Sequence, residues 1–430
     1  GKVFSLGGVP MILQPQDVSD LNSLLVPRSS TSECVKQILA DLDEAIASLP
    51  DKWENENYGR IDKGCAMAFK GRVLLQYASP LFNPNNDQQR WQDAYDANKA
   101  AINFLKSVGK GLYEGNFADI WYDEQNKEVI MVNQFYYPDH AFGQNAIRPE
   151  PLTRDMASCN QAIFSLIMAY PKLDGTPLEV DLNRLKNDRT YNKQFLSDFY
   201  VNRDPRFHAT IFCPGMEYYC PDHLKNNMKF WNAWRKDGDL NVSLVLDEIS
   251  RTMPSGANFF QKKGLDDLAV TEVYNAETDW IEIRFAEVLM NYGECANELD
   301  KKTEALQVLY DIRKRAGIQS TDGRYGITAT SQDEIREAYV NERFIEFAYE
   351  GKRWNDLRRW KRFDLLNNLQ YRSTLYPVID DYSIIQKGQF DWNKDMMDPE
   401  VRKLFYFEYI DCVDGDKSIY RFNLALNHWF

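Results

Sequence analysis

The sequence predicts a mostly α-helical protein in which paired helices pack against a loop-rich, aromatic-rich region with little β-structure. Helical periodicity runs through two stretches, 28–108 and 279–365. Between them, residues 110–278 are rich in Pro, Gly, Asn and aromatic side chains and contain few long periodic segments. Small residues at the expected helix contacts favour tetratricopeptide-like hairpins.

The first helical stretch contains three predicted helices. Residues 32–49 place their apolar side chains on one stripe, and Thr31 or Ser32 is the expected N-cap. Residues 63–78 are apolar on nearly every face, which predicts a buried helix. A third helix is predicted over 90–107.

The second helical stretch begins with a predicted helix over 279–299. The next helix ends at Gly317, after a basic last turn. Ser331 then opens a further helix, and Glu334 three residues later completes a capping box.

The remaining segments are predicted to be largely irregular. Within the central region we expect a short strand in 127–135 and a helix in 161–170. The C-terminal segment 366–430 is predicted to be irregular.

The stretch 341–360, NERFIEFAYEGKRWNDLRRW, combines acidic, basic and aromatic residues. Glu342 and Glu346 fall on an apolar helix face, so each carboxylate must be paired or protonated. We expect pairing with the arginines that follow, Arg353, Arg358 and Arg359. Asp356 lies one turn from Arg353 and from Arg359 and is expected to bind these two as well. A glycosidase would instead need two carboxylates facing a cleft, one with a raised pKa. The stretch therefore predicts a structural brace.

Composition and motifs exclude several function classes. The net charge of −13 argues against a nucleic-acid partner. No apolar run approaches the roughly 20 residues of a membrane span. The four histidines do not form HExxH or ExxH, and no GxSxG, GxGxxG or P-loop motif occurs. We therefore predict no catalytic residues, metal or cofactor. Cys213 and Cys220 flank a turn-like segment and could pair.

The stretch 341–360 resembles the signature of the SusD/RagB family, surface glycan-binding lipoproteins of Bacteroidota. Other segments resemble the family's landmarks in the same order: GGVPMIL at 7–13, residues 26–50, residues 59–83, YPKLDGTP at 170–177, NRDPRFHATIFCPG at 202–215, IRFAEVLMNYGECANEL and IRKRAGI. Together they cover nearly the whole chain, which predicts one SusD-like domain over 1–430.

The resemblance implies a non-catalytic protein on the extracellular face of the outer membrane, held there by a lipid anchor. Such a protein captures an oligosaccharide or polysaccharide and passes it to a SusC-like TonB-dependent transporter. A peptide or another nutrient is the alternative ligand, and a glycoside hydrolase is a third reading. Because no lipoprotein segment precedes GGVP and the chain stops at NHWF, we expect both terminal segments of the family to be missing here.

The predicted ligand surface lies in the window 215–236, which the family often uses for binding. Aromatic rings stack on the apolar faces of sugars, while amide and guanidinium groups bond their hydroxyls. The candidate residues are Tyr218, Tyr219, Asn226, Asn227, Trp231, Trp234 and Arg235. As an alternative, Trp231 and Trp234 are one helical turn apart and could be a core pair. A second candidate window is 134–148.

Overall fold

The computed structural model describes most of the chain. The described residues are 2–148, 160–216, 233–237, 242–246, 249–253, 259–266, 268, 270–367, 373–391 and 394–410.

Helices dominate the N-terminal part and confirm the predicted fold class. Their bounds are α1 Lys2–Leu6, α2 Thr31–Ser48, α3 Lys63–Ala78 and α4 Gln88–Ser107, with a 3-10 turn at Asn55–Asn57. Helix α3 packs against both α2 and α4. It is buried as predicted, and Gly71 lets it approach Asn98 of α4: a Cβ at that glycine would lie 2.3 Å from the Asn98 Oδ1 atom.

The centre of the chain contributes shorter helices. Their bounds are α5 Phe164–Ala169, α6 Leu182–Asn187, α7 Arg189–Tyr200 and α8 Pro205–Thr210, with 3-10 turns at Phe117–Trp121 and Val270–Glu272. The helix predicted within 161–170 is confirmed as α5. The three helices between 182 and 210 replace part of the predicted loop.

The second helical stretch extends to residue 367. Its helices are α9 Phe285–Glu298, α10 Lys302–Arg315, α11 Gln332–Glu346, α12 Arg353–Arg359 and α13 Asp364–Asn367, and short helices follow at α14 Ser383–Gln386 and α15 Pro399–Arg402. Helix α9 is central, since it packs against α3, α4, α10 and α11.

Capping side chains set where two of the long helices begin. The predicted capping box of Ser331 and Glu334 is confirmed. The cap of α2 is Ser30, not Thr31 or Ser32, because Ser30 accepts from the backbone N–H of Glu33 while the Glu33 side chain bonds back to Ser30. The acidic residue three positions after the cap thus decides the boundary.

One predicted helix is wrong at its start. Residues Trp280–Arg284 form strand β7, and α9 begins only at Phe285. Strand β7 pairs antiparallel with β1, Val129–Asn133, which is the strand expected within 127–135. The alternating WIEIR pattern and the available partner strand favour extended backbone over helix here.

A five-stranded sheet joins the centre to the C-terminal part, in the order β5-β4-β3-β8-β9. The strands are β3 Ala233–Lys236, β4 Val242–Leu246, β5 Ile249–Met253, β8 Thr374–Ile379 and β9 Phe405–Ile410, and a separate small sheet pairs β2 Ile211–Phe212 with β6 Phe260–Gln261. Because β8 and β9 lie within 366–430, the prediction of an irregular C-terminal segment is wrong for those residues.

The described residues bury two large apolar clusters. One joins the helices α3, α4, α9, α10 and α11. The other is rich in aromatic side chains and joins α5, α7 and α8 to strands β8 and β9. Helix α11 contributes to both clusters, so its acidic residues lie where the helical and aromatic halves meet.

Candidate functional site

A cluster of buried charges lies at the junction of the two halves. We call it the charge clamp. Its acids are Glu128, Asp204, Glu342, Glu346 and Glu350, and its bases are Arg206, Lys263, Arg284, Arg313 and Arg315. Their side chains are at most 7% exposed. Five negative and five positive groups therefore balance inside the protein.

Glu346 is the central acid of the clamp. Its Oε1 atom lies 2.5 Å from Arg284 Nη1 and also pairs with Arg315, while its Oε2 atom accepts from Arg206 at 2.8 Å. Glu342, one turn earlier on α11, lies 2.7 Å from Arg206 Nη1 and 2.8 Å from Arg313 Nε. Each acid of the apolar face is thus held by at least two guanidinium groups.

The clamp extends from α11 to β7 and the central loops. Arg284 also donates to Glu350 and to Glu128, with its Nη1 atom 2.7 Å from the Glu128 Oε1 atom. The Lys263 ammonium lies 3.0 Å from Glu350 and about 5 Å from the ring centroids of Phe117 and Trp121. Residues far apart in sequence are therefore locked together by charge-assisted bonds.

A second buried network braces α9 against α12. Asp356 binds Arg343 and Arg359, and Arg359 also binds Glu294 with an Nη2–Oε2 distance of 2.7 Å. Beside it, Glu287 pairs with Arg72 and Lys352.

The structure confirms that Glu342 and Glu346 are paired but corrects their partners. Neither Arg353, Arg358 nor Arg359 reaches them. Arg353 donates to the Val340 carbonyl, and Arg358 donates to the carbonyls of Phe4 and Ser5. Of the ion pairs expected for Asp356, the one with Arg359 is present, and Arg343 takes the place expected for Arg353.

The electrostatics of the clamp keep Glu342, Glu346 and Glu350 ionised. Burial alone would raise the pKa of Glu342, Glu346 and Glu350, but the surrounding guanidinium and ammonium groups outweigh it and lower the pKa of all three. Burial lowers the pKa of Lys263 to about 8, against the opposing charge of Glu350. None of these three acids has the raised pKa that a catalytic proton donor requires.

An ordered aromatic loop occupies the second predicted window. Tyr136 and His140 exchange backbone hydrogen bonds, and the ring of Phe135 stacks on both His140 and Phe142. Two tyrosines project from this loop, with Tyr136 53% and Tyr137 56% exposed. We call 134–142 the tyrosine loop.

A neighbouring segment, residues 274–277, holds the tyrosine loop in place. Phe142 forms a bridge with Ala276, and the backbone N–H of Tyr137 donates to Glu277 at 2.9 Å. Tyr274, 48% exposed, lies against Gly143. The result is a fixed loop with exposed aromatic rings, which is a suitable surface for an apolar sugar face.

Most of the first predicted window lies outside the described residues. This applies to Tyr218, Tyr219, Asn226, Asn227 and Trp231. The backbone of Trp234 and Arg235 belongs to β3, between β4 and β8. The backbone of Trp234 is thus in a strand and not in a helix, while Trp231 lies outside the described residues, so both the core pair and the assignment to ligand binding stay predictions.

Other expectations concern cysteines, metals and membrane spans. Cys213 is a buried free thiol, so the suggested pairing with Cys220 is not found. The described part of the chain contains no cluster of His, Cys, Asp and Glu suited to a metal ion. In the same residues, no helix combines the length and apolarity needed to cross a membrane.

Sequence comparisons identify the family. A profile described as "SusD family" matches residues 119–410, and one described as "Starch-binding associating with outer membrane" matches residues 2–75. SusD-like protein P25 of Formosa agariphila is 34% identical over 377 residues, which are 85% of this chain and 62% of that protein. SusD-like protein P38 of the same organism is 20% identical over 86% of this chain and 66% of its own length.

Solved structures share the fold. A SusD-like protein from Bacteroides fragilis superposes with a TM-score of 0.68 at 24% identity, over 88% of this chain and 68% of that one. A SusD-like carbohydrate-binding protein from the same species superposes with a TM-score of 0.63 at 23% identity, over 84% of this chain and 64% of that one. The helical scaffold and the family profile agree, and the chain belongs to the SusD family. The chain spans about two thirds or less of the length of these curated relatives.

Proposed function

We propose that this protein is a non-catalytic, cell-surface glycan-binding protein that delivers its ligand to a SusC-like TonB-dependent transporter. In this proposal the chain is a single SusD-like domain, and a lipid anchor holds the protein on the extracellular face of the outer membrane. Membership of the SusD family supports the assignment to the class of glycan-binding proteins. So does the name of the Bacteroides fragilis relative, which is described as carbohydrate-binding.

The observation that carries the proposal is the tyrosine loop over a rigid scaffold. A pyranose ring presents an apolar face that can stack on Tyr136 or Tyr137, and their hydroxyls can bond its polar rim. The loop is fixed by hydrogen bonds to Ala276 and Glu277 of one neighbouring segment, so little conformational entropy is lost on binding. A structure of this fold with a xylogluco-oligosaccharide, at 16% identity and a TM-score of 0.56, supports a ligand of this class.

The charge clamp supports a binding role over hydrolysis. A glycosidase needs one carboxyl group that is protonated near neutral pH and a second that reaches the substrate. Glu342 and Glu346 are fully buried and ionised, and each is bonded to two or more basic groups. Their arrangement stabilises the fold at the centre of the molecule and leaves ligand recognition to the loops.

The proposal is tested by titrating the protein with neutral oligosaccharides in a calorimeter. Xyloglucan, starch and galactan fragments form the panel, with a peptide mixture as the alternative ligand. We expect one glycan to bind. The double variant Tyr136→Ala with Tyr137→Ala should lower the affinity for that glycan at least tenfold. The control is Trp354→Ala, an exposed aromatic residue on α12 that should leave affinity unchanged.

The first predicted window is tested by a second variant. Trp231→Ala combined with Trp234→Ala should abolish binding of the same glycan without lowering the thermal midpoint. Unchanged affinity in both double variants would place the ligand elsewhere. Binding of peptides alone would replace the glycan by the alternative ligand.

A further inference from the structure

A cleft beside the tyrosine loop has the opposite charge to the rest of the molecule. It lies between the α2–α3 connection, residues 52–62, and the segment 108–132 that leads into β1, and its volume is about 240 Å³. Four basic side chains and one carboxylate line it: Lys52, Arg60, Lys110, Lys127 and Asp62. The chain as a whole has a formal charge of −13.

Most of this positive charge is not neutralised by neighbouring acids. Lys127 pairs with Glu114 at 2.5 Å. Among the described residues, Lys52, Arg60 and Lys110 form no ion pair with a carboxylate within 4 Å. Asp62 remains as the single acid of the lining, and one of its oxygens caps α3 by accepting from the Cys65 N–H at 2.8 Å.

Of these cations, Lys110 is partly buried in the wall of the cleft, whereas Lys52 and Arg60 are exposed. Burial lowers the pKa of the Lys110 ammonium, and the charge of Lys52 acts in the same direction, while Asp62 opposes it. An anion placed between these ammonium groups would relieve both the repulsion and the loss of water contacts. Because the protein's overall charge repels anions, such binding would require this local arrangement.

The rest of the lining suits a sugar. Trp53 is held by a hydrogen bond from its Nε1 to the Ile61 carbonyl at 2.9 Å, and the Arg60 guanidinium lies 5.7 Å from its ring centroid. Asn55, Asn57 and Gln125 add amide groups that bond hydroxyls. The volume is below the ~300–1,000 Å³ of pockets that enclose drug-sized ligands, which fits one sugar residue of a longer chain.

The cleft adjoins the tyrosine loop. Gly59, in its wall, has a φ of +87° and packs so closely on the Gln134 side chain that a Cβ there would lie 2.2 Å from the Gln134 Oε1 atom. Gln134 begins the tyrosine loop, and its carbonyl bonds His140 at 2.8 Å. A glycan on Tyr136 and Tyr137 would therefore have the cleft at the edge of its binding surface.

We propose that this cleft is an additional subsite for a negatively charged sugar, one that bears a carboxylate or a sulfate group. The proposal rests on the proposed function, since the charged residue belongs to a glycan that also contacts the tyrosine loop. Arg60 and Lys52 supply charge-assisted hydrogen bonds from the rim, and Lys110 supplies positive charge from within.

The test compares four probes at constant ionic strength in a calorimeter: maltotetraose, sulfated maltotetraose, tetragalacturonate and sodium sulfate. We expect at least one charged oligosaccharide to bind more tightly than maltotetraose. The cleft variant Lys52→Gln with Arg60→Gln should lose about tenfold of that affinity, while maltotetraose binding stays the same. Preference for sulfated maltotetraose or for tetragalacturonate then identifies the anionic group.

The matched control changes the same net charge elsewhere. Lys36→Gln with Lys314→Gln alters two exposed lysines that do not line the cleft, and it should leave all affinities unchanged. An equal loss in this control, or no preference for charged over neutral sugar, would overturn the subsite. Binding of sodium sulfate without a charged oligosaccharide would also overturn it. If neutral and charged sugars bind equally well, only the subsite proposal is wrong. If no glycan binds, including those of the neutral panel, the proposed function is wrong as well.

Discussion

Removing Glu346 should destabilise the protein strongly. The Glu346→Ala change takes away one of five buried negative charges and leaves five positive ones, so the clamp acquires a net charge of +1 in the interior. Arg206, Arg284 and Arg315 each lose a partner but keep another acid. Breaking a buried ion pair in this way costs about 3–5 kcal/mol, a large share of a typical folding free energy of roughly 5–15 kcal/mol.

The measurement is urea unfolding at pH 7, followed by far-UV circular dichroism. The control is Glu337→Ala, on the same helix. Glu337 pairs with Arg362 at 2.6 Å, but its side chain is 58% exposed, and exposed pairs contribute about 0–1 kcal/mol. If the two variants lost the same free energy of unfolding, within about 1 kcal/mol, the clamp would not be the brace described here.

We also predict that the contribution of Glu346 to the free energy of unfolding depends on pH. The folded-state pKa of Glu346 is lowered by Arg315, Arg284 and Arg206. Its contribution to stability is therefore present above the unfolded pKa of ~4.3 and is lost as pH falls below it. The difference in unfolding free energy between the wild type and Glu346→Gln should shrink between pH 6 and pH 3. A constant difference over that range would contradict the assignment of a charged Glu346.

Two further predictions concern packing and a buried histidine. Gly293→Ala should cost roughly 1–3 kcal/mol in urea unfolding, because the new Cβ would lie 1.8 Å from the Tyr339 hydroxyl; Gly111→Ala, where nothing lies within 4 Å, serves as control and should cost less. Burial lowers the pKa of His208 to about 4. As the pH falls below the unfolded pKa of ~6.5, the unfolded chain therefore binds a proton at His208 before the folded protein does, and the free energy of unfolding decreases. His208→Gln should therefore lose less stability than the wild type between pH 7 and pH 5, and an equal loss in the two proteins would contradict this reasoning.

The sequence could establish that acids on an apolar helix face need partners, but not which partners. The arginines after α11 are close in sequence and were the reasonable local choice. The observed partners of Glu346 include Arg206, which is 140 residues away, and Arg284, which is 62 residues away. Charged residues inside apolar runs, such as Arg284 in WIEIRF, are the signal that could have identified them.

Helices with long periodic stripes were predictable, and short strands were not. The stripe of α2 and the small-residue pattern of α3 depend on local sequence alone. Strand β8 instead depends on β3, more than a hundred residues earlier, and on β9. Pairing of this kind is decided by tertiary structure, and a six-residue segment carries too little periodicity to reveal it.

For the proposed binding surface, the sequence could predict the aromatic and polar composition but not the geometry. Both aromatic windows were recognised from their sequence, but exposure depends on how the loop packs. In the folded loop Phe135 is half-buried and stacks on His140 and Phe142, while Tyr136 and Tyr137 are exposed.

The central claim is that this protein binds glycans without cleaving them, because its clustered carboxylates are buried in ion pairs. The most direct test incubates the purified protein with each polysaccharide and measures retardation in an affinity gel and release of reducing ends in the same samples. We predict retardation by at least one polysaccharide with no new reducing ends. Release of reducing ends that disappears in Glu346→Gln would contradict the claim.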